Sequence, residues 1–249
     1  MRLYIILVHV ILALVVVKSD FLARVGKRLG LTQASGPEIT DYFRSILVTH
    51  ERMDATVPEG AVVFIGDSHT QGLCVDTVTT PSVNFGIGGD TTVGVLNRLG
   101  KYHCLERASV VVLAVGINDM RWRDNTEIVE NYNRILKALP PKLPVVVNAL
   151  FPVDAPTVEN GNPQITNARI HDLNQALRGL CAAHPRCVFA DAGAKLADQT
   201  GNLQKALQYR GDGIHLNSDG YRLWIDTLRN AIAEAKGISS HYFAYRSAR

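Results

Sequence analysis

The segment VVFIGDS at residues 62–68 decides the fold that this sequence predicts. Its first four residues form a continuous apolar run rich in β-branched side chains, which is typical of a strand buried on both faces of a parallel sheet. Gly66, Asp67 and Ser68 follow directly, and a turn of this composition ends a strand and begins a helix. The segment therefore predicts a buried strand with a serine hydroxyl exposed at its carboxyl end.

Runs of the same kind recur along the chain and alternate with helical stretches. The predicted strands are 62–65, 83–85, 110–115, 145–150 and 188–190, and the predicted helices are 38–53, 91–102, 125–139, 167–183 and 218–236. This alternation predicts an α/β fold, a three-layer α/β/α sandwich around a five-stranded parallel sheet. Because ligands bind such sheets at the carboxyl ends of the strands, a site is expected in the loops that follow them.

Those loops carry the residue types that acyl transfer needs. Ser68 supplies a nucleophile, and Asp212 precedes His215 by three residues, a spacing that lets the carboxylate orient the imidazole as a base. Gly89 and Asn118 can donate a backbone and a side-chain N–H to an oxyanion, together with the Ser68 amide. Each motif alone has an ordinary interpretation as a cap or turn, but their conjunction predicts a serine ester hydrolase.

The neighbours of these residues are candidates for the substrate pocket: His69, Arg121, Trp122 and Phe151. Trp122 is able to stack on a sugar and Arg121 to attract an anionic group, although a solvated basic turn with one packed tryptophan fits equally well. Few long insertions are present to build a lipid-sized groove. The predicted substrate is therefore a carbohydrate or small-molecule ester of a short acyl group such as acetyl.

The loops that carry these residues resemble, in chain order, the four sequence blocks of the SGNH or GDSL hydrolase superfamily. The resemblance covers about residues 58–236, and the segment 84–92 looks most like the platelet-activating-factor acetylhydrolase branch. His69 departs from the name motif of the superfamily, which has leucine at this position.

This resemblance implies a flavodoxin-like fold, short acyl chains, and no metal or other cofactor. By likeness, the triad comprises Ser68, Asp212 and His215, and the oxyanion hole comprises Ser68, Gly89 and Asn118. Asp90 is interpreted separately as the N-cap of the helix that follows it.

Composition and motif spacing argue against nucleic acid and zinc as ligands, and cysteine spacing allows one disulfide. The net charge is only +3 and no basic stripe with interleaved aromatics is visible, so nucleic acid is not an expected partner. The sequence contains neither a C-x-x-C nor an H-E-x-x-H pair, so a zinc site is not expected. Cys181 and Cys187 are spaced for a disulfide between a helix end and a strand start, and free thiols at all four cysteines are the open alternative.

The N-terminal residues predict attachment to a membrane or export across it. Residues 3–17 are nonpolar except for His9, which suits a signal sequence but falls short of the roughly 20 residues that span a bilayer comfortably. An uncleaved anchor is preferred over a cleaved signal and over a buried core helix, with the protein in the cell envelope or periplasm. The basic residues after the run favour the cytoplasmic side of the membrane, which conflicts with an exported catalytic domain.

The predicted organisation is a membrane segment (1–24), a linker with an amphipathic helix (25–57), the hydrolase domain (58–240) and a C-terminal tail (241–249).

Three alternative functions stay open from the sequence. A lysophospholipase or thioesterase is the nearest, since it uses the same chemistry. A catalytically silent carbohydrate-binding module on the same fold is disfavoured by the complete set of catalytic residues. A nucleotide-dependent oxidoreductase requires the segment 86–91 to be a dinucleotide fingerprint, whose sixth position here is Thr91 instead of glycine.

Overall fold

The structure is a computed structural model and describes residues 39–247, with the side chains of residues 39–237. The predicted membrane segment (1–24) and residues 25–38 of the predicted linker and helix lie outside these residues. Across the part of the chain that is described, no helix is both long enough and apolar enough to cross a bilayer.

Five parallel strands form a single sheet in the order β2-β1-β3-β4-β5, which is the flavodoxin-like order. The strands are β1 (Val62–Gly66), β2 (Ser82–Gly86), β3 (Val110–Ala114), β4 (Val145–Asn148) and β5 (Cys187–Ala190). Every residue of β1, β3 and β4 is buried, as the continuous apolar runs predict. The predicted α/β fold with a five-stranded parallel sheet is confirmed.

Eight α-helices connect or flank the strands in the described part of the chain. They are α1 (Asp41–Asp54), α2 (Ser68–Gln71), α3 (Thr92–Leu99), α4 (Asn125–Ala138), α5 (Ala155–Val158), α6 (Asn167–Ala182), α7 (Gly193–Leu196) and α8 (Ser218–Ser247). Short 3₁₀ turns lie at Val75–Thr77, His103–Arg107, Asp119–Arg121 and Lys205–Leu207.

Two hydrophobic cores separate the three layers. Val63 and Ile65 of β1 point into a core that α3, α4 and α6 cover on one face of the sheet. Val62 and Phe64 point into the other core, which Trp224 of α8 helps to fill. Since consecutive side chains of a strand face opposite sides, one run of apolar residues supplies both cores, as expected for an interior strand of the sheet.

The last helix is longer than predicted. It begins at Ser218 as expected but continues to Ser247, so it extends past residue 236 and through most of the segment predicted as a C-terminal tail. Gly237 does not stop it, because a glycine inside a helix costs about 1 kcal/mol and ends the helix only when it adopts a left-handed conformation. The predicted helix boundary at 236 was wrong for this reason.

The cap of α3 also differs from the prediction. Thr91 is the N-cap, and its hydroxyl accepts the N–H of Gly94 at 3.2 Å. Asp90 is therefore not the N-cap, and its carboxylate turns to Arg98 instead, at 2.8 Å. The adjacent threonine performs the capping, which leaves the aspartate available for a buried ion pair.

A disulfide joins Cys181 near the end of α6 to Cys187 at the start of β5. The spacing allowed either a disulfide or free thiols at these two positions, and the structure has the disulfide. The alternative of free thiols at Cys181 and Cys187 was wrong. Cys74 is free and exposed, whereas Cys104 is free and buried.

Candidate active site

Ser68 begins α2 immediately after β1 and is half-buried. The turn before it is tight, since a Cβ on Gly66 would lie 2.2 Å from both the Ala114 carbonyl oxygen and the Thr70 hydroxyl. The Asp67 carboxylate caps α2 by accepting the N–H of His69 at 3.0 Å. Because Ser68 is the first residue of the helix, its own N–H has no acceptor within the helix and is available to a ligand.

The structure brings Ser68 together with Asp212 and His215, although 147 residues separate Ser68 from His215. The Ser68 Oγ lies 2.9 Å from His215 Nε2, and His215 Nδ1 lies 2.6 Å from one Asp212 oxygen. A neutral imidazole that donates its Nδ1–H to Asp212 presents its Nε2 lone pair to the serine hydroxyl. This arrangement is able to remove a proton from Ser68.

Asp212 is held in one orientation by the backbone of its own loop. Its second oxygen accepts the N–H groups of Ile214 and His215 at 2.9 and 2.8 Å. Partial burial raises the pKa of Asp212, but the hydrogen bonds from His215 and Ile214 outweigh it, so the pKa lies below its ordinary value. The carboxylate stays ionised and faces the imidazole with a fixed negative charge.

Glycine is required in the loop that carries His215. Gly213 has a φ of 78°, and a Cβ there would lie 3.0 Å from the Thr157 Cβ and the Val158 Cγ2 of α5. The Gly213 carbonyl accepts the Asp154 N–H, and the His215 carbonyl accepts the Tyr209 N–H at 2.7 Å. These contacts fasten the loop on both sides of Asp212 and His215.

The two other predicted oxyanion donors lie on adjacent loops that contact each other. Gly89 has a φ of 79°, and a Cβ there would meet no described atom within 4 Å, so the backbone faces open space. One N–H of the Asn118 amide donates to the Asp90 carbonyl at 3.0 Å and thereby fixes the residue after Gly89. The other N–H of the amide group is left to donate to a ligand.

Arg98 supports this site and was missed by the sequence analysis. Its side chain is fully buried in α3 and donates to the Asp90 carboxylate, to the Gly66 carbonyl and to the Phe85 carbonyl. It thus ties the carboxyl ends of β1 and β2 to the loop that follows Gly89. The sequence does offer a clue to this role, because Arg98 lies on the same face of the predicted 91–102 helix as Val95 and Leu99. An arginine on an apolar face is buried and needs several hydrogen-bond partners.

Buried carboxylates behind the loops are all held by protein donors. Burial raises the pKa of Asp90 to about 6 even though Arg98 opposes this effect. Burial likewise raises the pKa of Asp119 to about 6 against hydrogen bonds from the Thr92 hydroxyl and N–H. No group of three or more histidines, cysteines or acidic residues in the described residues is arranged to hold a metal ion.

The four predicted pocket residues divide into two pairs. Arg121 and Trp122 lie at the surface, at the end of the 3₁₀ turn that follows Asn118. His69 and Phe151 are buried, and their rings meet edge to face with centroids 5.1 Å apart. The structure therefore places His69 and Phe151 within the wall of the site and not on an exposed rim.

A small cavity lies beside the turn of Ser68 and the loop of His215, but none of the three triad residues lines it. It is lined by Asp67 and His69, which flank Ser68, by Ile214, which precedes His215, and by Leu150 and Phe151. Its volume of about 20 Å³ corresponds to roughly one water molecule or one methyl group. Since Ser68 does not line it, this cavity does not set the length of an acyl group at the nucleophile.

Comparison with known proteins gives a consistent family. The sequence profile of the GDSL-like lipase/acylhydrolase family matches residues 64–223. The platelet-activating factor acetylhydrolase IB subunit alpha1 of Rattus norvegicus is 30% identical over 178 residues, which are 68% of this chain and 73% of the relative. The same subunit of Homo sapiens matches equally.

Solved structures share the fold at lower identity. A proposed platelet activating factor from Streptococcus pneumoniae superposes with a TM-score of 0.71 at 22% identity, over 86% of this chain and all of that one. A catalytic mutant of an acetylxylan esterase from Geobacillus stearothermophilus gives a TM-score of 0.56 at 18% identity, over 70% of this chain and 94% of that one.

Proposed function

The chain belongs to the GDSL-like lipase/acylhydrolase family, and from this premise we propose that it hydrolyses esters with Ser68 as nucleophile, His215 as base and Asp212 as the group that orients the base. The proposal is carried by one observation: the Ser68 hydroxyl lies 2.9 Å from His215 Nε2 while Asp212 holds the opposite ring nitrogen at 2.6 Å. Acyl transfer by a serine hydroxyl needs this pair of contacts.

The reaction proceeds in two halves. His215 accepts the Ser68 proton as Oγ attacks the ester carbonyl, and the resulting oxyanion is stabilised by the Ser68 and Gly89 N–H groups and the Asn118 amide. The protonated His215 then gives its proton to the leaving alcohol, and the acyl group stays on Ser68. Water, deprotonated by His215, attacks this acyl-enzyme and releases the acid, which restores the free serine.

Asn118→Ala should lower kcat about 100- to 1,000-fold with little change in KM, because the lost N–H stabilises charge that develops only in the transition state. The measurement is steady-state hydrolysis of p-nitrophenyl acetate. Asn125→Ala is the matched control, since that amide donates to the Arg169 carbonyl on another loop and the variant should stay near the wild-type rate. A change in kcat below about threefold for Asn118→Ala would remove this residue from the oxyanion hole.

The proposed substrate is a short-chain ester, with acetyl as the first choice. The strand-end loops around Ser68 carry few long insertions, which leaves little chain to build a groove for a long acyl group. The related acetylhydrolase and the acetylxylan esterase are both named for acetyl esters, which supports this choice. Trp122, with 36% of its surface exposed, is proposed to stack on a carbohydrate carrier of the ester.

A p-nitrophenyl ester series from acetate to palmitate tests the acyl group. Acetate should be hydrolysed with a kcat/KM at least about tenfold above that of octanoate, because loops without long insertions offer the extra methylenes little apolar surface to bind in the transition state. The opposite order, with octanoate or palmitate preferred, would favour the lysophospholipase or thioesterase alternative.

A location in the cell envelope is part of the same proposal. The nonpolar run at residues 3–17 supports it, as does the disulfide between Cys181 and Cys187, since disulfides persist mainly in oxidising compartments. Cell fractionation, with the chain followed by antibody, tests this location.

A further inference from the structure

His69 follows Ser68 directly, yet it contacts the loop of the base. Its side chain is buried, with His69 Nε2 lying 3.0 Å from the Ile214 carbonyl oxygen and His69 Nδ1 lying 3.4 Å from an Asp67 carboxylate oxygen. Ile214 is the residue before His215, and Asp67 is the residue before Ser68. The imidazole ring therefore bridges the backbone neighbours of the two groups that react.

Both ring nitrogens of His69 face oxygen atoms that only accept hydrogen bonds. A neutral imidazole has one N–H and one lone pair, so it would leave a lone pair against either the carbonyl or the carboxylate. An imidazolium donates to the carbonyl and at the same time faces the carboxylate with its second N–H and its positive charge. Because an unpaired polar atom is costly in a buried site, the charged ring is the form that suits these contacts.

The charges around His69 favour the same form. Burial lowers the pKa of His69, but Asp67, the Ile214 carbonyl and Asp212 together raise it further, so the pKa lies above the ordinary 6.5. The ring of His215, at a centroid distance of 5.4 Å, is the other titratable ring facing it from the base loop. From α8, the Tyr221 hydroxyl donates to the His69 carbonyl at 2.9 Å.

We propose that His69 is a positioning residue which, as an imidazolium, ties the turn of the nucleophile to the loop of the base and so holds His215 opposite Ser68. The inference rests on the proposed function, because only a reaction that uses both Ser68 and His215 depends on this tie. Loss of the His69 proton removes one of its two donors and releases one side of the bridge.

The pH dependence of kcat/KM separates this role from a merely structural one. The wild type should lose activity by about tenfold or more as pH rises through the pKa of His69, since misplacement of the base by even 1 Å costs on this order or more. His69→Gln retains an amide donor but does not titrate, so its activity should be lower at the optimum and flat up to about pH 9.5. An unchanged alkaline decline in His69→Gln, or no decline in the wild type, overturns the proposal.

His184→Gln is the matched control. His184 is partly buried in the turn between α6 and β5, at the amino end of that strand and so away from the carboxyl-edge loops. The same substitution there should leave the wild-type pH profile in place. If the activity of His184→Gln also failed to decline at alkaline pH, the effect would not be specific to His69, and its proposed role would be contradicted.

Side-chain nitrogen NMR of the wild-type protein tests the charge directly and needs no folded variant. The titration of its two ring nitrogens should give a pKa above 6.5 for His69, whereas a pKa at or below 6.5 overturns the proposal whatever His69→Gln does. This readout requires no turnover. A protein that shows the imidazolium but fails to hydrolyse esters would therefore contradict the proposed function and leave the bridge intact.

Discussion

Replacing Ser68 by alanine should lower kcat/KM for ester hydrolysis by a factor on the order of 10⁵–10⁶, leaving only what the oxyanion donors and binding provide. The effect is large because the same hydroxyl forms the covalent bond to the substrate and transfers its proton to His215 Nε2, 2.9 Å away. The measurement is the initial rate with p-nitrophenyl acetate, corrected for spontaneous hydrolysis.

The loss must come from chemistry and not from unfolding. Ser68→Ala removes one half-buried hydroxyl, so the melting temperature should stay within about 4 °C of the wild type. Ser45→Ala, an exposed serine in α1, is the matched control and should keep full activity. A Ser68→Ala protein that retains more than about a tenth of the wild-type rate would be incompatible with a serine nucleophile at this position.

Replacing Arg98 by methionine should lower the free energy of unfolding at pH 8 by about 3–5 kcal/mol. The guanidinium is fully buried, and its removal leaves the Asp90 carboxylate without its counter-charge and takes one donor from each of the Gly66 and Phe85 carbonyls. Urea denaturation followed by circular dichroism measures the change.

The pH dependence of this destabilisation has a definite sign. Burial already raises the pKa of Asp90 to about 6 with Arg98 present, and the pKa must rise further when the arginine is gone. A carboxyl group whose pKa is raised in the folded state binds its proton there more tightly than in the unfolded state, so stability increases as pH falls through the folded pKa. Arg98→Met should therefore be less destabilised at pH 5 than at pH 8.

The double variant Arg98→Met with Asp90→Asn provides the control for charge. It removes the unpaired carboxylate and should recover at least about half of the lost stability, since breaking one side of a buried pair is worse than replacing both. A loss of less than about 1 kcal/mol in Arg98→Met alone would show that the ion pair does not hold the strand ends.

The strands were predictable because burial on both faces of the sheet requires an apolar residue at every position of the strand. Val62–Gly66 and Val110–Ala114 are buried at every position, so each appears in the sequence as an uninterrupted apolar run. The order of the strands follows from the resemblance to known folds and not from the runs themselves. Helix ends were less predictable, since Gly237 lies inside α8 without ending it.

Side-chain partners within the site were only partly predictable. Because ligands meet the carboxyl ends of parallel strands, the sequence alone places Ser68, Asn118 and His215 at one edge of the sheet. The same rule does not reveal that Arg98 reaches the carbonyls of β1 and β2, because those contacts depend on how α3 packs. The bridge made by His69 depends in the same way on the path of the 211–215 loop, which the sequence pattern does not specify.

The most direct test of the account is where a fluorophosphonate probe attaches to the folded protein. Its phosphorus reacts with a serine hydroxyl that a neighbouring base activates, and mass spectrometry of the digested chain then locates the adduct. One phosphonate per chain on Ser68 is the predicted result. A folded protein that stays unlabelled, or that carries the adduct on a different residue, would contradict an activated serine at the carboxyl end of β1.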